Sequence, residues 1–343
     1  MTSLSPATTE RAPDGPASIR AARRRWPIFL WVALLVAGFF VSALTSPYGL
    51  VLAVHAVPLA LLALSTGWLF HHTGLLSFGN AAFAGLAMYA TAVLVNRYSV
   101  APGTAILISF GLVVAIAFVT GLILVRVHGI AFSMVTLASS MLLWVGVTKS
   151  RNWTNGFDGL SVDWQKSLWG HDVYEFSNAD FAWPRIWVVL AVVMGIAALL
   201  SRSSFGVKLD AIHDNEERLR FTGHRTHMAK VLAFTVAGAC AALAGIVQVL
   251  TTSIAVPGSI AWSASGIAIV VAIIGGVAKP YGPVIGAFFF IWLESVLLET
   301  GNYQLILGLL LMIIVIAAPG GLVGLVSSLR STLARRRRAH AHD

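Results

Sequence analysis

The run Gly74-Leu75-Leu76-Ser77-Phe78-Gly79-Asn80-Ala81-Ala82-Phe83-Ala84-Gly85 sets three glycines, a serine and an asparagine among apolar residues. Irregular backbone is tolerated at bilayer depth only where protein or a water-filled cavity satisfies its polar groups. The run therefore predicts a broken or re-entrant helix beside a pathway, with Gly74, Ser77, Gly79, Asn80 and Gly85 along it. Close helix packing through small residues is the competing reading. Asn80 can hydrogen-bond a polar solute without the cost of a buried charge, and can equally bond a neighbouring helix. His55, Gln248 and Glu294 also sit inside apolar runs, and each is a functional candidate by default; His55 joins the pathway set. Glu294 is the costliest of them, and an interhelical hydrogen bond or a place near the outer interface is its structural alternative.

No catalytic set accompanies these residues. A G-x-x-x-x-G-K-[ST] phosphate loop is absent, so any ATP must be bound by another chain. The single cysteine, Cys240, excludes an intrachain disulfide and a cysteine-based metal site. His71-His72 and the tail residues His340 and His342 lack carboxylate or cysteine company. The expectation is a transport protein with no metal, no cofactor and no enzymatic site of its own.

The elements that must position these residues are membrane helices. Of 343 residues, 57% are hydrophobic and 11% charged, with a mean hydropathy of +0.83, and apolar runs of about 18–22 residues recur, each able to cross about 30 Å of hydrocarbon. The predicted fold is all-α, a polytopic transmembrane bundle of about ten spans at 27–44, 51–70, 77–95, 104–125, 130–148, 185–201, 231–252, 264–278, 283–299 and 304–318. The arginines at 20 and 23–25 precede the first run as in a signal peptide, but that run is long for a signal core and is read as an uncleaved helix. The net charge of +9 has no basic stripe interleaved with aromatics, which argues against a nucleic-acid partner.

Charge placement orients the bundle. With the N-terminus inside, the inner segments hold 18 of the 23 Lys and Arg residues, and the outer ones hold Arg97, Lys149, Arg151, Lys166 and Arg185. Both termini are then cytoplasmic. The chain divides into a basic tail 1–26, a transmembrane domain 27–326 and a basic tail 327–343, with an outer loop at 149–184, an inner loop at 202–230 and tight connections elsewhere. The inner loop contains Ser204 to Gly223, whose apolar Leu209, Ile212 and Leu219 share a side among dense charges, with Gly223 as a helix stop. Its acids Asp210, Asp214, Glu216 and Glu217 favour docking to a protein over lying on anionic lipid.

Several ordered segments carry a family resemblance. The Gly74–Gly85 run is similar to the glycine-rich signature of branched-chain amino acid ABC transporter permeases of the LivM type. Thr136-Leu137-Ala138 and then Thr154-Asn155-Gly156-Phe157-Asp158-Gly159-Leu160 resemble that family's T-L-A element and T-G-G-x-x-G-L outer loop. Phe205-Gly206 through Asn215-Glu216 and Gly223, ending at Phe234, resembles its coupling loop. Gly275-Gly276, Gly282-Pro283 and Gly286-Ala287 resemble its late glycine element, and Ala318-Pro319-Gly320-Gly321-Leu322 its closing P-x-G-L. Departures are Asn155 for a glycine, Ala278-Lys279-Pro280-Tyr281 within the late element, His213 for an arginine, and Arg218-Leu219 for alanines.

The resemblance, over about residues 47–326, implies an importer in a bacterial inner membrane. It implies a second, different permease subunit, two cytoplasmic ATP-binding subunits and an extracytoplasmic solute-binding protein. Phe205, Gly206, Ile212, Asn215, Glu216, Glu217 and Gly223 would couple to the ATPases, and Thr154, Gly156, Asp158 and Gly159 would face the binding protein beside Trp153, Trp164 and Trp169; a tryptophan-rich interfacial belt is the alternative for this segment. Leucine, isoleucine and valine are the implied cargo; urea, amides, other amino acids or a sugar are alternatives on the same architecture. A secondary transporter would need intramembrane charges that are scarce here.

Overall fold

The computed structural model describes residue 38 and residues 45–325, apart from 165–166, 169–171, 222, 224, 299–301 and 318–319. The expected first span 27–44, Gly38 excepted, both tails, Lys166, Trp169 and Ala318-Pro319 lie outside the described residues.

Each remaining apolar run forms a helix. These are α1 (Pro47–Thr73), α2 (Asn80–Tyr98), α3 (Pro102–Leu124), α4 (Ile130–Lys149), α5 (Ala179–Arg202), α6 (Ser204–Phe221), α7 (Thr226–Thr252), α8 (Trp262–Gly275), α9 (Gly282–Leu297) and α10 (Tyr303–Ala317). The extra helix, α6, is the charged segment expected on the inner side. Two two-residue strands, β1 (Leu160–Ser161) and β2 (Ile254–Ala255), pair antiparallel. Among the described residues, α1, α3, α4, α5 and α7 are long and apolar enough to cross a membrane, and α8 and α9 are shorter apolar helices. The protein is an all-α, multi-pass membrane protein.

Local chemistry sets the helix ends. Ser46 caps α1 by accepting from the Gly49 N–H at 3.3 Å, with Pro47 in the first turn. Gly74 ends α1 in the left-handed region at φ 69°, returning its N–H to the Phe70 carbonyl.

Burial in α3 runs opposite to a soluble helix. Its buried positions are Pro102, Ala105, Ser109, Val113, Ala117 and Gly121, a narrow stripe of mostly small residues, while Leu107, Ile108, Leu112, Val119 and Ile123 are exposed. Large apolar side chains outward and small ones inward suit a helix whose outer face meets lipid and whose inner face allows close backbone approach. The inner stripe packs on α7, the central helix of the bundle, which also packs extensively against α1 and α2. Gly121 lies against Phe234 and Val231, and Gly238 against Ala117.

α7 and α2 approach with their backbones nearly touching. A Cβ on Gly245 would stand 1.9 Å from the Ala84 carbonyl oxygen, a backbone atom that cannot move alone. Gly275, Gly282 and Gly286 bring α8 and α9 into similar backbone contact, and Gly321 packs on Gly276, so the late glycine element is one helix crossing capped by the 320–325 turn. Gly245→Ala should therefore lower the melting temperature of the detergent-purified protein by several degrees, whereas Gly111→Ala, with nothing within 4 Å of its Cβ position, should leave it unchanged. Equal melting temperatures for both variants would contradict this packing.

Candidate translocation cavity and coupling helix

The glycine-rich run is irregular over only part of the length expected, since Asn80 to Gly85 are already helical. The chain is non-helical from Gly74 to Gly79 and α2 begins at Asn80. Asn80 Nδ2 donates to Ser65 Oγ at 2.9 Å, and Ser65 donates to the Ala237 carbonyl at 2.7 Å. Ser65 lies eight residues before the end of α1, so the break climbs back about 12 Å before α2 starts, at about 1.5 Å per residue. The segment then continues to the far end of the bundle, where Asn96 bonds the Ser161 carbonyl at 2.7 Å. Residues 74–98 thus cross the bundle completely.

Neighbouring hydroxyls satisfy the broken backbone. Thr136 Oγ1 accepts from Phe78 N at 3.2 Å, Ser133 donates to the Leu76 carbonyl at 2.7 Å, Ser77 accepts from Gly79 N at 3.2 Å and Ser265 accepts from Ala81 N at 2.9 Å. Asn80 is 0% exposed, and its Oδ1 has no partner among the described residues.

A second break departs from the sequence reading. The apolar pattern predicts a tight outer connection at residues 253–261, yet they descend into the bundle, placing Ile260 against Gly85. Ser140 donates to the Ile260 carbonyl at 2.7 Å, and α8 starts only at Trp262. Ser253 at φ 56°, Pro257 and Gly258 mark this turn. The physical reason is length: α8 has 14 residues, about 21 Å, too short to span alone.

Beside this break lies a cavity of about 280 Å³, lined on its polar side by His55, Gln248, Thr251, Thr252 and Ser259, and on its apolar side by residues including Leu59, Leu62 and Ile267. His55 and Gln248 are brought together here, with Ala84 in the wall. Gly74, Ser77, Gly79, Asn80 and Gly85 do not line it. Glu294 lies in a neighbouring cavity.

At the other end, α6 folds onto the terminus of α1. His72 bonds Asp210 Oδ1 through Nδ1 at 2.5 Å and Ser201 through Nε2 at 2.8 Å. His213 packs over Gly74, where a Cβ would meet its Nδ1 at 2.7 Å. Gly206 is needed at the α5–α6 turn because a Cβ there would lie 2.5 Å from the Leu200 and Ser201 carbonyls. Leu209 and Ile212 are buried and Phe205 partly so.

The expected single helix 205–223 is interrupted. Asn215 leaves helical geometry at φ −164°, ψ 96°, and its Oδ1 accepts from Arg218 N at 2.9 Å, capping a second short helix that stops before Gly223 at φ 82°. Glu216 turns inward, pairing with the buried Lys230 at 2.8 Å and with His128 at 3.4 Å, and accepting from Thr226 at 3.0 Å. Glu217 is exposed.

The loop expected on the outer side closes the opposite end of the bundle. Thr154 donates to the Val147 carbonyl at 2.5 Å, and Gly159 lies against β2, where a Cβ would stand 2.7 Å from the Ala255 carbonyl. Asn155 takes the left-handed conformation at φ 60°, ψ 12°, which explains why asparagine can stand in for the expected glycine; Gly156 and Gly159 also have positive φ. Asp158 is exposed beside Phe157, 72% exposed, and near Trp153, 50% exposed, over which Arg97 stacks at 4.1 Å. Trp164, expected at this surface, is instead buried, donating to Ser253 Oγ at 3.1 Å, because it packs beneath the loop where α7 ends.

The family described as "Branched-chain amino acid transport system / permease component" matches residues 50–316, from α1 into α10. The chain belongs to this family. The high-affinity branched-chain amino acid transport system permease protein LivM of Escherichia coli (strain K12) is 22% identical to this permease over 275 residues, covering 73% of this chain and 64% of LivM. LivM of Salmonella typhimurium is 23% identical over 274 residues, covering 73% of this chain and 64% of its own. The autoinducer 2 import system permease protein LsrC of Salmonella choleraesuis (strain SC-B67) is 33% identical over 118 residues, covering 32% of this chain and 33% of LsrC. This permease thus spans 64% of the length of the LivM proteins it matches, and no solved structure matches it.

Burial opposes ionisation of Glu216, but the hydrogen bond and charge of Lys230, the Thr226 hydroxyl and nearby His128 outweigh it and hold the carboxyl below its usual range. A lowered native pKa contributes stability that is full above the unfolded value of about 4.3 and is lost as pH falls through the native value. Purified wild type should melt higher than Glu216→Gln at pH 7, and the gap should close on acidification below about pH 4. A gap independent of pH would contradict the pairing.

Proposed function

We propose that this permease imports leucine, isoleucine and valine across a bacterial inner membrane as one subunit of an ATP-binding cassette importer. An extracytoplasmic binding protein delivers the solute to the outer loop 149–184, on which Phe157 and Asp158 are exposed. A second, different permease completes the pore, and two cytoplasmic ATP-binding subunits engage α6. Ten spans with both termini inside complete this reading, which the excess of Lys and Arg on the inner side supports.

The observation that carries it is the reach of α1. One end of this helix is bonded to α6 through His72 and Asp210; near the other, His55, Pro58 and Leu59 line the cavity. His55 and His72 are 17 residues apart, about 26 Å along a helix. Motion of α6 on closure of the ATPases pulls directly on the cavity wall, and Pro58, inside α1, removes one backbone bond where the wall must bend. The solute needs no covalent chemistry; it needs only to be bound differently in the two states.

The LsrC match favours a second reading, import of autoinducer 2 or a related polar solute. Binding of labelled leucine, urea and ribose to the co-encoded binding protein separates the two, with leucine the expected ligand and ribose-only binding overturning the amino-acid assignment. Coupling is tested at Glu217, because Glu216 is used inside the chain. Glu217→Lys should leave the permease in the membrane and lower solute-stimulated ATPase activity of the reconstituted complex several-fold. Unchanged stimulation would remove α6 as the docking element.

A further inference from the structure

α6 is tied to the bundle twice, each time to a different helix that lines the cavity. Its first half, residues 204–214, holds α1 through Asp210 and His72, with Ser201 of α5 on the other ring nitrogen. Its second half, residues 216–221, holds α7 through Glu216: Lys230 Nζ lies 2.8 and 2.9 Å from the two carboxylate oxygens. Thr226 donates to the same carboxylate at 3.0 Å, and His128, in the turn between α3 and α4, lies 3.2 Å from Lys230 Nζ. Asn215, the residue between the halves, is outside helical geometry.

Lys230 is 2% exposed. An ammonium buried this far has given up its water, and separating it from its carboxylate would leave an uncompensated buried charge. The Glu216–Lys230 pair is therefore a firm connection, unlike an ion pair on an open surface.

A buried hydrogen bond sets the register of the two helices that α6 holds. Ser65 of α1 donates to the Ala237 carbonyl of α7 at 2.7 Å, and Asn80 donates to Ser65 in turn. From this pin His72 lies seven residues forward along α1 and Lys230 seven residues back along α7, so both tethers stand about 10 Å from it on one side. On the other side His55 lies ten residues away and Gln248 eleven, about 15–16 Å, and both line the cavity. Tether, pin and cavity wall thus follow in the same order on two antiparallel helices.

We propose that α6 works as a two-armed coupler, in which Asp210 moves α1, Glu216 moves α7, and Asn215 is the joint that lets the arms separate. Glu216 and Lys230 are then positioning residues for transport: they touch no solute and act on Gln248, Thr251 and Thr252 through the length of α7. With the Ser65–Ala237 pin between them, a relative displacement of the tethered ends reaches the cavity ends in the opposite sense, enlarged about one and a half times for stiff helices. This rests on the reading that the ATP-binding subunits engage α6 and deepens it, making α7 a driven wall of the cavity as well as α1.

The test follows the separation of the two walls. Val51 of α1 and Thr251 of α7 each lie fourteen residues from the pin on the cavity side, and cysteines there in a Cys240→Ala background carry a spin-label pair whose dipolar broadening reports their distance. In the complete complex of both permeases and the ATP-binding subunits, trapping with ATP and vanadate should change that broadening. Glu216→Gln combined with Lys230→Met removes the pair without leaving a lone buried charge, and should lose about half of the change or more, one of two driven walls having been released. Asp210→Ala, which releases the partly exposed first arm, should also diminish it, and Glu216→Asp, which keeps the charge, should retain more of it than the double variant. A merely structural pair would lower the melting temperature and leave the change whole. A full change in the intact double variant, or in Asp210→Ala, overturns the two-armed coupler and leaves the docking reading standing. No change in the trapped wild type overturns the coupler as well, whereas the docking reading falls only if Glu217→Lys leaves solute-stimulated hydrolysis unaltered.

Discussion

Backbone N–H and C=O groups at bilayer depth must find partners inside the protein, and the architecture around α7 follows from that requirement. Where the helices are continuous the condition is met within each helix. It becomes demanding at the two places where the chain enters the bundle without helical hydrogen bonds, residues 74–79 and 253–261. There the partners are side chains: Thr136, Ser133 and Ser77 at the first break, Ser140 at the second, and Ser265 of α8 on the first turn of α2. The two breaks enter from opposite ends, and the second reaches α2, where Ile260 packs against Gly85. This arrangement of discontinuous helices resembles the midplane sites of transporters in general physical terms.

Small residues make the meeting possible. Hydroxyl groups reach a neighbour's backbone only if the helices lie close, and Gly245 against Ala84, Gly238 against Ala117 and Gly275 against Gly282 remove the side chains that would hold them apart. The outer surface carries the complementary pattern, with leucine, isoleucine and valine facing outward from α3 and α5. Without a hydrophobic force between helices in lipid, close packing and these buried hydrogen bonds are what hold the bundle.

Much of this was legible in the sequence. Apolar runs fixed nine helices among the described residues to within a few positions, and Gly74 to Asn80 announced a break because glycine, serine and asparagine are expensive there without a reason. The Asn155 substitution is explained by a left-handed position that asparagine tolerates. What the sequence hid depends on tertiary partners. Ser253 to Ala261 reads as an ordinary turn until Gly85 leaves room for Ile260. Glu216 reads as an exposed docking charge until Lys230 is found buried beneath it. Trp164 reads as a surface aromatic until Ser253 accepts its indole N–H. The polar groups of the cavity come from α1, α7 and the second break, separated by about two hundred residues, and no local spacing brings them together.

The central claim is that the outer loop and α6 stand on opposite sides of the membrane, joined through α1 and the cavity between them. Single cysteines at Asp158 and Glu217, both exposed, placed in a Cys240→Ala background, test it directly with a membrane-impermeant maleimide. Asp158→Cys should label in intact spheroplasts and Glu217→Cys only after permeabilisation. Labelling of both from the same side, or the reverse pattern, would contradict the account.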